Sequence, residues 1–201
     1  MSATVLIFAK SPRIGLAKTR LARGVGKAQA QRLARMCFSR TLRAARDPRW
    51  NTILYAAPDR DLSAGFGTLW PRALERRSQG PGDLGARLGR GYREAPMGSR
   101  VIFIGADAPD VTKTLLWTAI KALGKHHAVV GPASDGGFWL LGLKRARDAR
   151  HPFKNIRWSS RYTLADVEAN FPEGAKVARL PTLIDLDEVE DWRAWAIMRR
   201  R

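Results

Sequence analysis

Short apolar runs alternate with amphipathic stretches along this chain, and that alternation limits the folds open to it. Thr4–Phe8, Thr52–Ala56, Val101–Gly105, Ala128–Gly131 and Phe138–Leu143 are rich in strand-forming residues. Between them lie helical periods. Over Lys27–Arg46 the residues Ala30, Leu33, Ala34, Cys37, Phe38, Thr41, Leu42 and Ala45 share one face. Thr112 stands where a helix cap belongs, ahead of Leu115, Leu116, Ala119, Ile120 and Leu123, and Gly124 marks the stop. Helices are also expected over Asp83–Arg93, from a Ser160 cap to about Phe171, and from Asp187 to about Met198. Residues 59–80 fit a short helix and strand, and Val177–Leu180 fits a last strand. Apolar strands separated by helices predict an α/β fold with a mainly parallel sheet covered on both faces. Such sheets bind ligands outside the carboxyl ends of their strands, so motifs just after strands carry weight.

A chain of 201 residues suits one domain, 1–201. It has no run of 18 apolar residues, so no membrane span is expected. Met1–Phe8 lacks a basic start and a small-residue cleavage site and reads as a strand. Cys37 is the one cysteine, so neither an intramolecular disulfide nor a thiolate zinc site is available. It falls in the apolar stripe and is expected in the core. These features favour the cytoplasm. The net charge is +18, and residues 1–50 set twelve basic residues against Asp47 alone. That excess attracts anions: nucleotides, phosphorylated metabolites, nucleic acid or acidic lipid. Many arginines, such as Arg32, Arg35, Arg43 and Arg46, fall on solvated helix faces, as does the basic end Arg199–Arg201, so composition alone names no partner.

Three loops after predicted strands could carry chemistry. Lys10-Ser-Pro-Arg13-Ile-Gly15-Leu-Ala-Lys18-Thr-Arg20 sets four cations around a Pro and a Gly that turn the backbone. Phosphates need such N–H donors and counter-charges. It is not a Walker loop, because Gly26-Lys27 is preceded by Leu21 where Gly is required and followed by Ala28 where Ser or Thr should stand. Gly105-Ala-Asp107-Ala-Pro-Asp110 ends the clearest strand, and a carboxylate there suits a hard cation such as Mg²⁺ or Mn²⁺. Asp107 is read as the metal ligand and Asp110 as a capping residue. Gly131-Pro-Ala-Ser-Asp135-Gly136-Gly137 brings an acid and a close-approaching backbone to the same sheet edge.

Two further segments are ambiguous. Gln79-Gly80-Pro-Gly82-Asp83-Leu-Gly85 matches a dinucleotide fingerprint, with Asp107 at the ribose spacing. The charged segment Arg72–Ser78 makes a poor central strand, so a glycine loop opening a helix, with N–H groups for an anion or base edge, is the plainer reading. In Ile184-Asp185-Leu186-Asp187-Glu188-Val189-Glu190, the Asp187/Glu190 spacing reads as a capping box, and Asp185 could reach a metal. Val189, Trp192 and Trp195 form a packed stripe. His126, His127 and His151 have no metal spacing.

Taken in order, these motifs are similar to a known family. The loop Ala9–Leu21 resembles the opening signature of the GT-A-like rSAM/selenodomain-associated transferases. The resemblance continues through Gln79-Gly80 with Asp83, Gly85 and Arg87, Ile104–Asp110, Gly131-Pro132 with Asp135-Gly136-Gly137, Phe153 with Trp158-Ser159, and Leu183–Asp191. It implies a three-layer α/β/α GT-A (nucleotide-diphospho-sugar transferase) fold. It also implies kinship with molybdenum-cofactor and 2-phospho-L-lactate guanylyltransferases. Lys10, Lys18 and Arg20 would then hold nucleotide phosphates and Asp107 the metal. Ala108 and Phe138 depart from the family's usual Cys or Ser and Tyr, and neither change removes a carboxylate.

The sequence therefore predicts a metal-dependent, nucleotide-using transferase. Nucleotidyl transfer from a triphosphate is slightly preferred to glycosyl transfer from a sugar nucleotide, because a departing pyrophosphate needs several counter-charges. Lys18, Asp107 and Asp135 are the expected catalytic residues. Lys10, Arg13, Gly15, Lys18, Arg20, Gln79, Gly80 and Gly85 are the expected nucleotide-binding residues, and Mg²⁺ or Mn²⁺ the cofactor. The acceptor is open. An NAD-dependent dehydrogenase is a minor alternative. A nucleic-acid-binding module is disfavoured, because residues 9–36 contain no aromatic side chain to stack on bases.

Overall fold

The computed structural model describes residues 2–71, 73–147 and 151–199. Seven strands form one sheet: β1 (Ala3–Lys10), β2 (Asn51–Ala57), β3 (Glu75–Ser78), β4 (Arg100–Gly105), β5 (Ala128–Pro132), β6 (Phe138–Lys144) and β7 (Val177–Arg179). Their spatial order is β3-β2-β1-β4-β6-β5-β7. Every pairing is parallel except the two made by β6, which runs antiparallel to β4 and β5. The helices are α1 (Thr19–Val25), α2 (Lys27–Ala45), α3 (Leu84–Glu94), α4 (Lys113–Ala122), α5 (Thr163–Ala169) and α6 (Val189–Met198).

Alternation along β1 shows how the sheet is covered. Val5, Ile7 and Ala9 face one core with Phe38 and Leu42 of α2 and Leu116 and Ile120 of α4. Leu6 faces the other core, with Leu88 and Tyr92 of α3 and Leu164 and Val167 of α5. Side chains alternate across a strand, so an unbroken apolar run serves two cores at once. This is the expected three-layer arrangement. Cys37 is fully buried, and burial pushes its thiol up to about 12, the behaviour of a core residue. Among the described residues no helix is long and apolar enough to cross a membrane.

Helix caps follow the local signals only in part. Thr112 does cap α4, accepting from Leu115 N at 3.2 Å. Ser160 does not cap α5. Its hydroxyl donates to Arg157 O and accepts from Tyr162 N, so it closes the preceding turn and the helix begins later, at Thr163. The capping box at α6 is shifted by one residue: Glu188 and Asp191 form it, in place of Asp187 and Glu190. The charged segment before Gly80 forms β3, at the sheet edge and not in its centre. Its Arg76 guanidinium donates to the carbonyls of Leu62, Ala64, Trp70 and Pro71, which makes a charged edge strand tolerable. Arg200 and Arg201 lie outside the described residues.

Candidate functional site

The carboxyl ends of β1 and β4 lie side by side, and the loops that leave them flank a crevice at that end of the sheet. That crevice is where an open α/β sheet receives a ligand. From β1 the chain runs through Gly15, with φ of 81°, to Lys18, a non-glycine residue in the left-handed region at φ 56°. Strained backbone of this kind persists where surrounding contacts hold it, and it concentrates at functional sites. At Lys18 the contacts are evident. Its side chain is 1% exposed, and its ammonium touches Asp107, lies 3.0 Å from Asp187 Oδ1 and 3.9 Å from Asp185 Oδ1.

Asp107 follows β4, whereas Asp185 and Asp187 come from the chain ahead of α6. Leu186 N donates to Asp107 O, Leu183 N to Pro132 O and Ser134 N to Leu183 O, so this segment is stapled beside the sheet end. Asp187 N donates to Asp185 O at 3.0 Å, a tight turn about the buried Leu186 that leaves the Asp185 and Asp187 carboxylates beside Asp107. Carboxylate oxygens from the three lie within 4.8 Å of one another.

Charge balance in this cluster is uneven. Burial works to neutralise Lys18, but the attraction of Asp107, Asp187 and Asp185 outweighs it and raises the ammonium's pKa. The Asp185 carboxyl is pushed well above the usual range, first by burial and then by the charge of Asp107. Its Oδ1 is buried without a hydrogen-bond partner. Three carboxylates, one of them with an orphaned buried oxygen, form a donor set suited to a hard divalent cation, so these residues fit Mg²⁺ or Mn²⁺.

Two cavities meet at this cluster, and Asp107, Asp187 and Arg20 line both. The first, about 310 Å³, is lined by Lys10, Lys18, Phe38, Gln79 and Arg87 among others. Gln79 is buried. Its amide donates to Ala9 O and Tyr55 O, and its Oε1 accepts from Arg87. The second, about 250 Å³, is lined by Phe8, Leu88, Phe138, Trp158, Asp135 and Asp185 among others. Asp135 Oδ1 accepts from Gly137 N at 2.8 Å.

Of the residues singled out from sequence, Lys10, Lys18, Arg20, Gln79, Asp107 and Asp135 line these cavities. Others do not. Arg13 turns away to Asp61, a side chain that is 1% exposed and also accepts from Ser11, and the Arg13 guanidinium covers Phe66. A buried carboxylate claims the nearest cation, so Arg13 is spent on structure. Gly15 provides the turn. At Gly80 a Cβ would strike the Arg90 guanidinium, and at Gly85 it would meet Phe153 O at 2.9 Å and the Trp158 ring at 3.1 Å. Gly85 is a packing residue that lets α3 approach Trp158.

The dinucleotide reading fails on topology. Asp107 follows β4, and β2 and β1 lie between β3 and β4, so the glycine loop and the acid are not carried on the neighbouring strands that a dinucleotide fingerprint needs. Asp110 accepts from Trp195 Nε1 at 2.7 Å and so ties down α6; it is neither cap nor ligand. His126 bonds Ala122 O, His127 accepts from Lys176 N, and His151 stacks on Phe153. Sequence reasoning underweighted Asp185 and Asp187 and gave Arg87 and Trp158 no role of their own. The Asp-Leu-Asp alternation was the available signal for the first pair.

This sheet order, with a cation loop and a carboxylate meeting at the carboxyl edge, defines the nucleotide-diphospho-sugar transferase fold. The chain belongs to a family described as an uncharacterized protein conserved in bacteria (DUF2064), whose model matches residues 41–160. It is similar to a crystal structure from Desulfovibrio desulfuricans G20 named as a candidate nucleotide-diphospho-sugar transferase. That likeness has 28% identity and a TM-score of 0.84, covering 100% of this chain and 89% of that one. Its fold is also that of 4-diphosphocytidyl-2C-methyl-D-erythritol synthase from Anaerococcus prevotii DSM 20548, at 12% identity and a TM-score of 0.64, covering 100% and 99% of the two chains. The same holds for Rv0371c of Mycobacterium tuberculosis H37Rv, solved as a manganese complex, at 15% identity and a TM-score of 0.55, covering 96% and 97%. No curated protein matches the chain by sequence.

Proposed function

We infer that the chain is a metal-dependent transferase acting on a nucleotide donor. One observation carries this reading: Lys18, Asp107, Asp185 and Asp187 converge where a cation-lined cavity adjoins an apolar one. The first cavity receives the donor's phosphates, with Lys10 and Arg87 as counter-charges. Asp107, Asp185 and Asp187 hold Mg²⁺ or Mn²⁺. A divalent ion bound there neutralises charge on the donor's diphosphate and on the leaving group. Lys18 balances the carboxylates. Asp135, on the second cavity, accepts the acceptor's proton.

The transferred group follows from cation accounting. Lys18 is committed to the aspartates, and Arg20 pairs with Asp187 at 3.0 Å and Glu188 at 3.3 Å. Lys10 and Arg87 have no carboxylate partner among the described residues. Two such cations suit the diphosphate of a sugar nucleotide. The acceptor oxygen bonds to the anomeric carbon, the bond from that carbon to the phosphate oxygen breaks, and a nucleoside diphosphate leaves. Nucleotidyl transfer is the second reading, favoured by the full set of four cations around the cavity.

A thermal-shift screen of nucleoside triphosphates and sugar nucleotides, with Mg²⁺ or Mn²⁺, tests both. Sugar nucleotides with metal are expected to raise Tm by mass action, and Asp107→Asn to abolish the rise. Stabilisation by triphosphates alone would favour nucleotidyl transfer. Stabilisation by neither class, or an unaffected Asp107→Asn, would overturn the inference.

A further inference from the structure

The two cavities differ in charge and in walls, and the difference constrains what can enter the second. Around the first stand Lys10, Lys18, Arg20 and Arg87. Among the described residues the one cation around the second is Arg20, already paired with Asp187 and Glu188. Asp135 faces it, with one oxygen on Gly137 N and no ion pair among the described residues. The remaining surface is largely aromatic and aliphatic: Phe8, Leu88, Phe138 and Trp158. An anionic group entering here would be desolvated beside Asp135 and aromatic faces; Arg20 is already paired, and a divalent ion held by Asp107, Asp185 and Asp187 would be taken up by the donor's diphosphate. An apolar body would find aromatic faces, and a hydroxyl would find Asp135.

The Trp158 wall is built with some care. Phe153 packs against its ring at 6.4 Å, Gly85 leaves room for it, and Arg157 next to it is clamped by Asp166 through three hydrogen bonds of 2.6–2.9 Å. A wall fixed in this way presents a ready aromatic face, which lowers the ordering cost of binding.

We propose that the second cavity is the acceptor subsite and selects an uncharged, hydroxyl-bearing molecule with an aromatic or apolar body, excluding phosphorylated acceptors. The assignment rests on the transferase reading, but the selectivity can be measured without turnover. The full chain with Mg²⁺ is titrated calorimetrically with phenyl β-D-glucoside and, separately, with phenyl phosphate. The glucoside is expected to bind, and Trp158→Ala to weaken it by at least about fivefold while phenyl phosphate changes by less than about twofold, its counter-charges being in the other cavity. Phe138→Leu, on a separate wall, gives the same pattern and covers the case in which Trp158→Ala does not fold. A glucoside that fails to bind, is indifferent to both substitutions, or loses no more affinity than phenyl phosphate overturns the proposal. Sugar-nucleotide thermal shift on the same samples separates the two levels. If that shift is absent while the glucoside result holds, the transferase reading falls and the selectivity stands. If it is present while the glucoside result fails, only the acceptor assignment falls.

Discussion

Lys18 Nζ lies 3.0 Å from Asp187 Oδ1, although 169 positions separate the two residues along the chain. The contact closes the site, because it ties the loop leaving the first strand to the segment entering the last helix. It also places an ammonium at the centre of the carboxylate cluster a divalent cation would use.

Replacing Lys18 with Met should therefore destabilise the metal-free protein and make it depend on metal. Removing one partner of a buried ion cluster costs about 3–5 kcal/mol; about 2–3 kcal/mol is expected here, since Asp107 is 45% exposed. Denaturant melts with and without Mn²⁺ measure it. A loss of stability that metal does not reduce would argue against a shared cation position.

Asp185→Asn should act in the opposite sense. The Asp185 carboxyl is disfavoured as an anion by burial and by Asp107, so the neutral amide should leave the metal-free fold as stable or more stable. The same substitution should remove most of the stabilisation that Mn²⁺ gives. A variant that keeps the full metal response excludes Asp185 from the ligand set.

Arg13 and Lys10 separate the two uses of the basic loop. Arg13→Ala should lower Tm by exposing an unpaired Asp61, and should leave the nucleotide shift intact. Lys10→Ala should keep Tm and weaken nucleotide binding. Equal losses of nucleotide binding in both variants would return Arg13 to the phosphate site.

Gly85→Ala tests the packing of the aromatic wall. A Cβ there meets Phe153 O at 2.9 Å and Trp158 at 3.1 Å, so overpacking should cost about 1–3 kcal/mol. Binding in the second cavity should fall more than nucleotide binding. A variant with unchanged stability would show that Trp158 yields easily.

The Arg157–Asp166 clamp gives a pH signature. Hydrogen bonds from the Arg157 side chain and backbone pull the Asp166 carboxyl down to about 2 from an ordinary 3.8. A folded-state value below the unfolded one means that the clamp contributes stability above 3.8 and loses it as pH falls toward 2. Amide protection over residues 157–162, corrected for intrinsic exchange, should drop across that window. In Asp166→Asn it should be low already at neutral pH.

Much of the fold was legible because its signals are local. The run Val101–Gly105 and the stripe from Ala30 to Ala45 state their periods openly, and both formed as read. Asp107 was legible for the same reason, as a carboxylate just past a buried strand. Asp187 was misassigned because a local capping pattern competes with its long-range role, and the register of the box is decided one residue later by Glu188 and Asp191. Arg13 looked equivalent to Lys18 in sequence. Asp61, 48 positions away, made the difference.

By itself the sequence determined a mainly parallel α/β sheet, its helical layers and the presence of cations and an acid after the right strands, since hydrophobic periodicity and turn chemistry act over a few residues. Only the tertiary structure decided which charges share a site. Asp107, Asp185 and Asp187 become one cluster through backbone hydrogen bonds between distant segments, and electrostatic energy depends on separation in space, which sequence spacing does not encode.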